Sequence, residues 1–195
     1  MNRLISLSLS ITVAGCLAAC ASPPPAKFYT LSLIQITQAA PAADRIAIAL
    51  DPITLPEIVD RPQMVVRLDP NRVSIDEFAR WAEPLKNQIP RVLAADLTQL
   101  IPGAIASTYP QHADDTAYRV TVDVQTFESS AEGTVMLAVL WSVRAPKQGH
   151  RVSGRSVVSR SGRGQGYPAL VSAHDEALES VACDIAVATH SMMHR

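Results

Sequence analysis

Cysteine is scarce in this 195-residue chain: Cys16, Cys20 and Cys183 are all it has. No framework of bridges can hold such a chain together, so a hydrophobic core has to. Charge of one sign is missing too. Seventeen Lys and Arg against 18 Asp and Glu leave a net charge of −1, which gives no electrostatic footprint for nucleic acid. No lysine-rich run offers itself to anionic lipid heads. Charged residues make up 18% and hydrophobic ones 48%, which is the balance of a globular protein rather than a disordered one. An uninterrupted apolar run is also lacking. The N-terminal stretch reaches the ~20 residues of a bilayer span only if its Ser and Thr are counted.

That N-terminus reads as an export signal. Met1-Asn2-Arg3 supplies one positive charge, and Leu4 to Val13 is apolar apart from small hydroxyl residues. It ends in Leu17-Ala18-Ala19-Cys20, followed at once by Ala21-Ser22-Pro23-Pro24-Pro25. A cysteine at the small-residue cleavage site makes this a lipoprotein signal: residues 1–19 are removed and the Cys20 thiol carries diacylglycerol. Val13-Ala14-Gly15-Cys16 is the alternative box. Cys20 is preferred for the Leu three positions before it and the polar, proline-rich segment after it. Residues 20–27 then form a lipidated tether of extended polyproline character, and 28–195 a single domain. With Cys20 acylated, Cys183 is left without a partner and reads as a small buried residue.

The domain alternates between strand and helix signals. Phe28 to Leu33 and Arg45 to Leu50 read as strands, with a linker over Ala39 to Asp44 between them. Pro52, Pro56 and Pro62 impose an irregular segment. Met64 to Leu68 and Arg72 to Phe78 flank the Asp69-Pro70-Asn71 turn. Trp81, Leu85, Ile89, Val92, Leu93, Leu97 and Leu100 form one apolar helical stripe. Pro84 falls in its first turn, and Pro90 predicts a kink or a late start. Tyr118 to Gln125, Thr134 to Arg144 and Arg151 to Arg160 read as an antiparallel meander, turning at Glu132-Gly133 and Gln148-Gly149. The middle strand is apolar enough to be covered on both faces. A last helix follows Tyr167-Pro168, with Leu170, Val171, His174, Leu178, Val181, Ile185 and Met192 inward. The expected fold is therefore α+β: one mostly antiparallel sheet with two amphipathic helices packed on one face.

Catalytic signals are missing. His190 and His194 share a helical spacing, but no Cys or carboxylate stands beside them, so no metal site is expected. His174 falls on an apolar stripe and reads as core; His112 and His150 stand alone. Gly162-Arg163-Gly164-Gln165-Gly166 lacks the Lys-Ser/Thr ending of a phosphate loop, and no Gly-x-Ser-x-Gly elbow exists. Arg151, Arg155, Arg160 and Arg163 read as charges guarding an edge strand, with docking onto an acidic partner as the alternative. No enzyme activity and no cofactor is expected.

Four segments carry a resemblance. They are the Cys20 box, Phe28-Tyr29-Thr30-Leu31, Asp60-Arg61-Pro62-Gln63-Met64-Val65, and Arg80-Trp81-Ala82-Glu83-Pro84-Leu85 continuing through Arg91-Val92-Leu93-Ala94. In this order and spacing the chain resembles the PqiC/YmbA family of ABC-type transport auxiliary lipoproteins over essentially its whole mature length. The resemblance implies a non-catalytic, lipid-anchored accessory subunit of an MCE-domain lipid-transport system with an ABC-type permease, in Gram-negative bacteria. Ala21, where Asp would signal inner-membrane retention, implies the periplasmic face of the outer membrane. A homo-oligomeric collar around an elongated partner would suit that role, although no sequence feature establishes it. A periplasmic carrier that binds a lipid tail is the alternative. Asp60, Arg61, Arg80 and Trp81 are the partner-binding candidates: the first two lie in an irregular loop, and Arg and Trp are favoured interface anchors. For Trp81, core packing is the competing reading.

Overall fold

A computed structural model describes residues 24–33, 45–108, 115–147 and 149–193. Cys16, Cys20, the signal, the first part of the tether, the 39–44 linker, His112, Gln148 and His194 therefore lie outside the described residues. The described chain folds as an α+β domain with one mixed sheet of eight strands and two helices. The strands are β1 (Lys27–Tyr29), β2 (Ile46–Leu50), β3 (Gln63–Asp69), β4 (Arg72–Trp81), β5 (Ala104–Ser107), β6 (Tyr118–Ser130), β7 (Thr134–Arg144) and β8 (Arg151–Ser161). Helix α1 runs Leu85–Leu100 and α2 Gly166–Met193.

β6 is the spine. One side pairs antiparallel with β7 along almost its whole length. The other side is shared by two parallel neighbours, β2 at its start and β3 at its end. Beyond β3 lie β4, antiparallel, and then β1, parallel to β4. β8 closes the opposite side through β7. A register shift between Val124 and Thr126 explains how Val120, Val122, Val124 and Phe127 all point inward, since the extra residue resets the two-residue period. Gly133, at φ +85°, makes the tight β6–β7 turn in a backbone region that side chains disfavour.

Both helices cover one sheet face. Ile89, Leu93 and Leu97 of α1 and Leu178, Val181 and Ile185 of α2 are wholly buried, together with Val135, Leu137 and Val139 beneath them. Small residues on α2, among them Ala173, Ala177 and Ala182, are buried as well and permit close packing. The opposite face is open: Met136, Leu140 and Val157 are exposed. Among the described residues β7 is thus covered on one face only, not on both as its composition suggested. Its apolar outward residues are not packed under a second layer.

Other boundaries also differ from expectation. Trp81 ends β4 instead of starting the helix, because its backbone still pairs with Tyr29 and its N–H reaches the Pro62 carbonyl at 2.6 Å. Pro84 is the N-cap, and α1 continues through Pro90; lying one turn in, Pro90 forgoes one backbone bond while its ring packs in the core. β1 stops at Tyr29 because Thr30 and Leu31 turn to a helix side chain. Buried Gln88 accepts from the Leu31 N–H at 2.8 Å and the Thr30 hydroxyl at 3.0 Å, and donates to the Glu83 carbonyl at 2.5 Å. Gln88→Leu is expected to leave the Leu31 N–H unpaired and to lower stability by about 2–3 kcal/mol, measurable by urea unfolding. β5 was not anticipated; Ala-Ile-Ala-Ser is too short to show a period, and its pairing with β2 is what makes it a strand. Cys183, expected to be buried, is only partly so.

A second polar feature sits between the helices. Asp96 is 2% exposed, and its Oδ2 has no partner among the described residues. Burial, aided by the charges of Glu179 and Asp175, pushes its carboxyl up to about 7 from 3.8; burial likewise raises Asp175 to about 6. The folded protein keeps protons that the unfolded chain releases, so this stabilisation is complete at acid pH and is lost as pH rises through these values. Asp96→Asn should therefore flatten the decline in Tm between about pH 5 and pH 8 and raise Tm at the upper end. Thermal melts across that range provide the check.

Candidate docking site

The sequence-nominated residues converge. Arg80 lies one residue from the end of β4, with Phe28 of β1 opposite it on one side and Gln63 of β3 on the other. Asp60, Arg61 and Pro62 come from the irregular segment that enters β3. Together with the Trp81–Pro84 turn and Lys86 in the first turn of α1, they line one pocket of about 370 Å³. Phe28 stands at its lip, 65% exposed.

Trp81 has two surfaces. It is 6% exposed and meets Phe127 edge-on, with ring centroids 6.1 Å apart. It is therefore a core residue, and it is also part of the pocket wall. Asp60 is paired with Lys86 at 3.5 Å and Glu83 with Arg91 at 2.7 Å. The Arg91 guanidinium holds the Glu83 carboxyl below its ordinary range. The guanidinium groups of Arg61 and Arg80 have no hydrogen bond or ion pair to any described residue, and the Arg61 Nε is a buried donor with no partner among them. The site thus presents two uncommitted guanidinium groups against aromatic and proline walls.

Phe28 and Lys86 were missed as site residues. Phe28 read as a strand former, and nothing in the sequence singled out Lys86. Only the β1–β4 register and the turn into α1 reveal their place.

The other candidates disperse. His174 is fully buried, stacked on Phe127 at 3.9 Å, with Nε2 2.9 Å from the Ser129 hydroxyl. Burial lowers its pKa to about 3, so it stays neutral and serves as core. Among the described residues no group of His, Cys, Asp and Glu is arranged to hold a metal ion. The basic stretch on β8 does form an edge strand; Arg151 bonds to the Ser142 hydroxyl and Arg160 to the Ser180 hydroxyl. No described helix is long and apolar enough to cross a membrane.

Fold and pocket thus define a single α+β domain with one polar–aromatic recess beside its N-terminal strand. The chain belongs to the PqiC/YmbA-like family of ABC-type transport auxiliary lipoproteins, whose model, described as "ABC-type transport auxiliary lipoprotein component", matches residues 29–186. Two crystal structures share the fold at low identity. An uncharacterized protein is 18% identical, with a TM-score of 0.73, over 85% of this chain and 99% of its own. A Xanthomonas campestris protein of the DUF330 family is also 18% identical, with a TM-score of 0.64, over 83% of this chain and 93% of its own. No curated protein matches the sequence.

Proposed function

We propose that this protein is an outer-membrane lipoprotein, anchored through Cys20 on the periplasmic face, that acts as a non-catalytic accessory subunit of an MCE-type intermembrane lipid-transport system with an ABC permease. The observation that carries the reading is the family match across nearly the whole domain, joined to a pocket fit for binding rather than chemistry. Its lining holds no histidine and no hydroxyl or thiol nucleophile, and its two carboxylates are already matched by Lys86 and Arg91. The export signal, the cysteine at its end and Ala21 support the anchor and the choice of membrane. Asp60, Arg61, Arg80 and Trp81 form the docking face in this reading. Assembly into a homo-oligomeric collar is compatible with it.

A genetic test follows. Deleting this gene and deleting the MCE gene should give the same envelope defect, and the double deletion should be no worse than either. An additive defect would place this chain in a different system. Density-gradient separation of the two membranes should find the chain in the outer-membrane fraction; recovery with the inner membrane would overturn the localisation.

A further inference from the structure

The docking face carries an unmatched positive charge. Asp60 and Glu83 are occupied by Lys86 and Arg91, whereas Arg61 and Arg80 have no acceptor among the described residues, and one Arg61 donor is buried without a partner. Two guanidinium groups without an internal acceptor thus belong to residues that line one pocket, and an anion entering it would supply acceptors for them. Guanidinium groups suit phosphate in particular, because their planar fork donates two parallel hydrogen bonds to its oxygens.

The position of the pocket points to where that phosphate comes from. Phe28, at its lip, is eight residues from Cys20, a distance the chain can span with at most roughly 29 Å. Lys27 and Phe28 are both exposed at the point where the tether joins the domain. An exposed aromatic ring beside cations is the pattern of a surface that rests on lipid headgroups. By contrast, the cations of β8 lie five strands away across the sheet, about 24 Å at the usual strand spacing. We infer that the Arg61–Arg80 pocket seats the phosphate of a phospholipid headgroup in the bilayer to which the chain is tethered, and so orients the domain on that bilayer. The inference rests on the docking-face reading above and specifies what docks there.

The test uses the mature chain from residue 20 with Cys20→Ala, so that no acyl chain contributes. This chain contains every strand, both helices and every core residue among the described residues. It should float with phosphatidylglycerol vesicles, and glycerol 3-phosphate should compete. Arg61→Gln/Arg80→Gln should weaken vesicle binding by roughly an order of magnitude or more, and Arg155→Gln on β8 should leave it unchanged. Should the double variant melt early, Arg80→Gln alone, with its melting curve, gives the same reading with a smaller loss.

Equal binding by the arginine variants, or an equal loss in Arg155→Gln, would overturn the site in favour of diffuse charge. Competition between inorganic phosphate and glycerol 3-phosphate without any vesicle binding would assign the pocket to a soluble phosphate and overturn the headgroup. Absent vesicle binding, with Arg80-dependent capture of the MCE protein, would make the pocket a protein contact; that outcome refutes the headgroup while leaving the accessory role standing. Vesicle binding without any MCE association would do the reverse.

Discussion

Trp81→Ala is expected to destabilise the domain by about 3–5 kcal/mol, the usual range for removing a buried large aromatic. For a domain of this size that corresponds to a fall in Tm of roughly 10 °C or more. The indole is 6% exposed and packs edge-on against Phe127, which itself stacks on His174. Removing it therefore opens a cavity at the junction of β4, β6 and α2. The same substitution strips one wall from the docking pocket, so loss of docking in this variant would not separate a contact role from folding. Trp81→Phe makes that separation. It keeps an aromatic ring against Phe127 and should cost far less stability. A phenylalanine variant that folds at near-parental Tm yet no longer docks would give Trp81 a contact role in addition to its packing role.

Cys20→Ala should release the protein from the membrane while leaving the domain folded. Anchoring by acyl chains grows by about 0.8 kcal/mol per buried methylene, and one chain binds reversibly whereas several hold stably. No described helix offers a substitute span, and the core lies wholly within the domain. The expected result is a chain recovered in the soluble periplasmic fraction with an unchanged melting curve and no support for transport. Cys16→Ala should behave as the unsubstituted protein. If Cys16→Ala were soluble and Cys20→Ala anchored and active, the upstream cysteine would be the lipidated one.

Much of this fold could be read from the chain because its local signals agree with its tertiary environment. The stripe from Leu85 to Leu97 and the stripe from Leu170 to Ile185 are the faces that α1 and α2 bury. The Asp69-Pro70-Asn71 and Glu132-Gly133 turns close the hairpins that their residue types suggested. The misreadings occurred where long-range pairing decides. Trp81 continued a helical spacing by coincidence, and only its pairing with Tyr29 holds it in a strand. β5 exists because β2 offers an edge. The apolar run of β7 could not reveal that one of its faces lacks a covering layer.

The site was legible in part. Asp60, Arg61, Arg80 and Trp81 do line one pocket, although they come from segments some twenty residues apart. No local pattern could show that the Arg61 and Arg80 side chains lack partners among the described residues, since that depends on Lys86 and Arg91 taking the two neighbouring carboxylates. For the same reason, the absence of a lysine-rich run did not exclude a cationic site: its charges are gathered by folding, not by sequence.

Affinity capture of the lipidated chain from detergent-solubilised envelopes tests the accessory role most directly. The MCE protein should be retained with the unsubstituted chain, together with its ABC permease when the complex is kept intact by cross-linking. Repeated capture that yields neither, with both proteins shown to be expressed in the same cells, would contradict the role proposed for this lipoprotein.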